Sequence, residues 1–159
     1  MTTKNSTLVA NYEATPHVAN DAANLGGVLR VASGNVALAA GDSTDNDIVM
    51  LAPIPANATI KSLSVASDNL GGSCAFNVGI YTTAGVVKDE DFFATAVLDG
   101  AAMADVRYEA ADLNTTGQKL YEMAGDSDAS ETNYYIAATF SATGGTAGDM
   151  AFIIEYAVN

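Results

Sequence analysis

Hydrophobic and polar positions alternate most clearly over residues 73–82. Cys74, Phe76, Val78 and Ile80 fall on one parity, and Ser73, Ala75, Asn77 and Gly79 fall on the other. A period of two is the signature of a strand with one buried face. The preceding run, 58–66, is strand-like too, but Ile60 falls on the opposite parity to Leu63 and Val65. That mismatch predicts a β-bulge, or a strand buried on both faces. A Pro-Ala-Asn-Ala turn leads into this pair, and Asp-Asn-Leu-Gly-Gly separates its members.

The same punctuation recurs along the chain. Residues 28–32 and 36–39 flank Ser33-Gly34-Asn35 and predict a hairpin with a Gly-containing turn. A polar loop, 41–47, precedes a short strand at 47–52, which Pro53 and Pro55 should end because neither can donate to a ladder. Residues 88–91 (KDED) read as an exposed charged segment, and 92–98 are apolar. The run 99–113 fits helical and strand spacing alike, and is read as a loop or short helix at 99–104 followed by a strand at 105–110. Residues 117–124 hold helix formers with Gly125 as a stop, giving one short helical turn. Residues 132–141 and 149–158 are strands, the second with Met150, Phe152, Ile154 and Tyr156 on one face. The Gly-rich connector between them reads as a hairpin loop.

These elements predict an all-β fold: antiparallel strands in a sandwich or barrel, with at most one short helix. Residues 1–27 show no period and read as an irregular N-terminal arm, leaving 28–159 as a single β domain. An arm of this composition is ordered only when something ties it down, so it is a candidate to lie on a neighbouring subunit.

Composition changes the picture in two ways. Of the 159 residues, 30 are Ala and none is Trp, so the apolar fraction of 49% overstates the core. Thin layers, or completion by a partner chain, follow. The net charge of −13 repels phosphate and anionic lipid, which excludes direct nucleic-acid and membrane-surface binding. No stretch reads as a signal peptide or a membrane span.

Chemistry is sparse. His17 is the one histidine and lies in the irregular arm, away from any framework that would hold a triad. Cys74 is the one cysteine, on an apolar strand face, and reads as a small buried hydrophobe. No phosphate-binding glycine motif precedes a helix. Asp42, Asp45 and Asp47, and likewise Asp89, Glu90 and Asp91, lack calcium-loop spacing and read as solvated loops. No catalytic, cofactor or metal residue is assigned. Tyr121, Tyr134, Tyr135 and Tyr156 cluster near the C-terminal strands and are candidate interface anchors, because Tyr is enriched in contact patches. Leu8, Val9 and Tyr12 are the matching candidates in the arm.

The ordered series RVASGNVAL (30–38), PIPANATIKSLSVASDNLG (53–71), VGIYTTAG (78–85), DEDFFATAV (89–97), GQKLYEMAG (117–125), YYIAATFSATGGTAGD (134–149) and IEYAVN (154–159) resembles small structural proteins of tailed bacteriophages, including marine and cyanobacterial phages. Members of that group include head decoration, or cement, proteins. The resemblance implies a jelly-roll β-sandwich without enzymatic activity, on the outside of the virion. It also implies a homotrimer that clamps major capsid protein subunits in the assembled lattice. Two other readings stay open: a tail, baseplate or head-fibre component, and a lectin-like module for host-surface carbohydrate.

Overall fold

The computed structural model describes residues 4–158. Eight strands form: β1 (Leu29–Leu38), β2 (Ile48–Pro55), β3 (Ala58–Ser67), β4 (Ala75–Thr82), β5 (Val87–Leu98), β6 (Ala104–Asp105), β7 (Asn133–Ala142) and β8 (Gly148–Val158). Two short helices accompany them, α1 (Thr7–Glu13) and α2 (Leu120–Met123), with a 3-10 turn at Leu113–Thr115. The strands lie in two four-stranded sheets, ordered β1-β8-β3-β6 and β2-β7-β4-β5. Antiparallel pairs β1·β8, β2·β7, β3·β6 and β4·β5 make a long folded-back ribbon, and β3·β8 and β4·β7 roll it onto itself. This is the jelly roll, an arrangement that buries one face of each sheet against the other.

The expected bulge is present. The β3·β8 register shifts between Ile60 and Ser62, and so Ile60, Leu63 and Val65 all turn inward, each at 1% exposure or less. Phe76 and Phe140 meet edge-on in the core, ring centroids 6.1 Å apart. Around them alanines fill the close approaches: Ala52, Ala56, Ala58, Ala94 and Ala138 are all buried. Small side chains thus let the layers close around the few buried rings. Helix α2 begins where Lys119 N–H donates to the Glu122 carboxylate (2.6 Å) and ends at Gly125, whose φ of +79° suits a helix stop.

Several expectations are corrected. Residues 28–39 are not a hairpin: β1 runs unbroken through Ser33-Gly34-Asn35, because β8 offers each residue a partner in continuous register. Gly34 serves close packing instead, since a Cβ there would sit 3.2 Å from the Phe152 ring. Pro53 does not end β2, which runs on to Pro55; β2 is an edge strand, where a missing N–H costs no ladder bond. The 143–147 connector is not a hairpin loop, because β7 and β8 belong to different sheets. It crosses the end of the sandwich, held by Gly145 and Thr146 N–H groups donating to the Leu70 carbonyl (2.8 and 2.7 Å). The expected strand at 105–110 shrinks to β6, after which the chain turns to bury Arg107. The charged 88–91 segment is not a loop but part of β5. The arm is not uniformly irregular, since α1 forms behind a Ser6 cap.

Strand β4 departs furthest from its pattern, being buried on both faces. Residues 76–81 of β4 face residues 87–97 of β5 through three register shifts. The surplus length of β5 folds over the outer face of β4. Asn77 accepts there from Ala96 N–H (2.9 Å), and Ala96 adopts a φ of +53° to make the bend. On that covered face Tyr81 and Thr139 join hydroxyl to hydroxyl.

Candidate interaction surfaces

The arm residues lie where contact with another molecule is open to them. Helix α1 buries none of its residues. Leu8 is half-buried, Val9 is exposed, and Tyr12 is 72% exposed with its ring edge-on to His17. Side-chain bonds fold this segment back on itself: Asn5 to Glu13 (2.9 Å), Asn11 to Asn20 (2.8 Å) and Asn20 to the Leu8 carbonyl (3.1 Å). It meets the sandwich near Asn24, which accepts from the Lys61 ammonium (3.0 Å), and through the buried Ala23. Between α1 and the body lies an open polar cleft of about 540 Å³, lined by Asn11, Asn20, Lys61 and Gln118 among others.

The tyrosines do not form one patch. Tyr134 is fully buried, which removes it as an accessible anchor: on β7 it faces the core while Tyr135 faces outward. Its hydroxyl donates to the Asp126 carboxylate, which also holds Lys88 in an ion pair at 2.7 Å. Burial, then that hydrogen bond, pushes the Tyr134 phenol far up from its usual range. The bonds from Lys88 and Tyr134 hold the Asp126 carboxyl below its ordinary value. Tyr121 and Tyr156 are half-buried against the core, and Tyr135 is half-buried on the other sheet's outer side.

No catalytic constellation emerges among the described residues. Cys74 is fully buried and its thiol is pushed up by burial, whereas His17 is exposed beside Tyr12. Asp42 and Asp47 are engaged within their own loop, accepting from Ala39 N–H and Thr44 N–H (2.9 Å each). Among the described residues no three His, Cys, Asp or Glu side chains converge to hold a metal ion. No helix among them is long and apolar enough to cross a membrane.

Two features escaped the sequence reading. The first is Arg107, fully buried and in no ion pair among the described residues. Its guanidinium donates to the Ile60 carbonyl and to Thr115 at 3.3–3.4 Å, and stacks on the rings of Phe93 and Tyr108 at 5.1 and 4.4 Å. It pins the β6–α2 corner to β3, and desolvation lowers its pKa. A single cation between Val106 and Tyr108 gives no periodic signal of this. The second is the free edge made by β1 and β2, where Leu29, Val31 and Ile48 are 52%, 57% and 45% exposed. Its sequence signal is a lack of acidic residues from 22 to 41 and from 48 to 67.

No family model matches the chain, and no curated protein matches it. Solved structures do resemble it in fold. A chain of the cyanophage Pam1 capsid asymmetric unit superposes with a TM-score of 0.59 at 17% identity, covering 100% of both chains. A chain of the Ralstonia phage GP4 capsid superposes with a TM-score of 0.62 at 16% identity, covering 84% of this chain and 86% of that one. The jelly roll of this protein is therefore a fold that chains of two phage capsid structures share.

Proposed function

We propose that this protein is a non-enzymatic structural component of a tailed-phage virion, and specifically a decoration protein on the outside of the capsid. In this reading it assembles as a homotrimer and binds the major capsid protein lattice after the shell has formed. The carrying observation is the end-to-end likeness to a chain of the Pam1 capsid, arm included. The physical features agree with it. A two-layer sandwich is a rigid body, and the arm carries exposed Val9 and Tyr12 beyond it. The net charge of −13 suits a basic partner surface and keeps the free protein soluble. A protein that binds only the assembled lattice stabilises that lattice by mass action, repeated at every site.

The test is location and effect. In a cryo-electron-microscopy map of particles that carry the protein, its density should sit on the outer shell in threefold clusters. Particles lacking it should lose integrity at a lower temperature. Density on the tail, or equal heat resistance with and without the protein, would refute the decoration role.

A further inference from the structure

The N-terminal arm is built from two bonded units. Residues 5–20 close on themselves. Asn5 donates to the Glu13 carboxylate (2.9 Å), the Asn11 side chain to the Asn20 side-chain oxygen (2.8 Å), and the Asn20 side chain to the Leu8 carbonyl (3.1 Å). In the backbone, Val18 N–H donates to the Asn11 carbonyl at 3.2 Å, which folds the chain after α1 back onto it. Residues 21–25 form the second unit. Asn24 and Leu25 N–H groups donate to the Asp21 carbonyl (3.0 Å each), and Ala23 N–H donates to the Asp21 carboxylate (2.8 Å). These bonds stay within their own unit, and the two units join at Asn20–Asp21.

The second unit is fixed to the sandwich. Ala23 is buried, and Asn24 accepts from the Lys61 ammonium on β3 (3.0 Å). Asn24 also lies hard against Gly117, where a Cβ would sit 3.0 Å from both its Nδ2 and its Oδ1. The first unit has no such hold. Helix α1 buries none of its residues, and among the described residues no hydrogen bond or ion pair joins 4–20 to 28–158. Between this unit and the body the polar cleft of about 540 Å³ stands open, with Leu8 and Asn11 on the arm's wall and Lys61 and Gln118 on the body's.

A segment moves at a free energy set by the bonds and apolar contacts that its motion breaks. Turning 5–20 about Asn20–Asp21 breaks none of the bonds named above, and the large apolar side chain at stake is the half-buried Leu8. Moving 21–25 instead would strip Ala23 from its buried place and break the Lys61–Asn24 bond. We infer that the arm is a hinged lever: residues 5–20 turn as one piece about Asn20–Asp21, above a latch at 21–25 that stays on the sandwich, and so open and close the cleft over Lys61. Hinges of this kind absorb backbone rotation at a few positions between rigid pieces. The lever carries exposed Val9 and Tyr12, so its swing sets how far from the sandwich those side chains reach. The hinge belongs to the free chain and does not depend on the virion role.

The experiment is double electron–electron resonance on the full chain, spin-labelled at introduced cysteines and diluted with unlabelled protein so that distances within one chain are read. The native Cys74 is fully buried, away from the label. One pair, Tyr12→Cys/Leu98→Cys, spans lever and body, and the other, Leu25→Cys/Leu98→Cys, spans latch and body; all three positions are more than half exposed. A thermal melt confirms that each variant is folded. The expected result is a broad distance distribution for the first pair and a narrow one for the second. A first distribution as narrow as the second shows an arm set rigidly on the sandwich and overturns the hinge. Breadth in both overturns the latch. Adding Asn24→Ala should broaden the second distribution, and an unchanged width would overturn the assignment of Asn24 to the latch. Hydrogen exchange reads the lever itself: the Ala10 and Val18 amides, bonded to the Ser6 and Asn11 carbonyls, should exchange more slowly than in unfolded chain. Exchange at the unfolded rate makes 5–20 a loose segment and overturns its motion as one piece.

Discussion

Replacing Gly79 with Ala tests how β5 covers β4. A Cβ at this position would lie 2.1 Å from the Asp89 carbonyl oxygen, and 2.4 and 2.5 Å from the carbonyl carbon and oxygen of Glu90. Real Cβ contacts essentially never fall below 3.0 Å, so the β5 backbone must retreat by about 1 Å. The obstacle is main chain, which cannot rotate aside as a side chain can. Overpacking typically costs 1–3 kcal/mol, and a backbone clash belongs at the upper end, about 3 kcal/mol. For a domain of this size each kcal/mol moves the melting temperature by roughly 2–4 °C, so Gly79→Ala should melt about 6–12 °C lower. Scanning calorimetry reads the shift, and hydrogen exchange should show lost protection in residues 87–94. Gly41→Ala is the control, since a Cβ there meets nothing within 4 Å. A Gly79→Ala melt within about 1 °C of wild type, with β5 still protected, would refute the account of two-sided burial.

Three further outcomes are expected. Arg107→Ala should cost about 3 kcal/mol in urea denaturation, through the cavity and the lost hydrogen bonds and ring contacts of the guanidinium, and Arg107→Met should recover part of it because burying the charge is itself unfavourable; equal stability of Arg107→Ala and wild type would contradict the pinning role. Thr59→Val should raise stability by about 1 kcal/mol, because the Thr59 hydroxyl is buried with no hydrogen-bond partner among the described residues; a loss in the thermal melt would show that the hydroxyl is satisfied. The Tyr134 phenol, held above its ordinary 10.0, contributes stability that is complete below about pH 10 and is lost as pH rises toward the folded value. The Asp126 carboxyl, held below its ordinary 3.8, contributes stability that is complete above about pH 4 and is lost as pH falls through the folded value. Tyr134→Phe should therefore flatten the alkaline limb of a denaturation-against-pH profile and weaken the acid limb, and an unchanged profile would remove the Tyr134–Asp126 bond from the account.

The candidate surfaces were only partly legible. An arm without periodicity has no core to enter, which is why Leu8, Val9 and Tyr12 read as surface candidates, and α1 buries none of its residues. Among the tyrosines, composition could not separate Tyr134 from Tyr135, because adjacent strand residues face opposite ways and only the register against β2 and β4 fixes which is inside. The β1–β2 edge was missed because Ser-Gly-Asn has the chemistry of a turn, which hid a ten-residue strand.

By itself the sequence determined the local alternation, the β-bulge in β3, the short helix stopped at Gly125 and the poverty of reactive groups, because each depends on neighbours along the chain. Tertiary structure decided which strands share a sheet, that Gly34 serves packing rather than a turn, that β4 is covered on both faces, and that Arg107 is enclosed. Those outcomes depend on residues far apart in sequence competing for the same ladder bonds and the same core volume. No local pattern encodes that competition, and closing the roll is what resolves it.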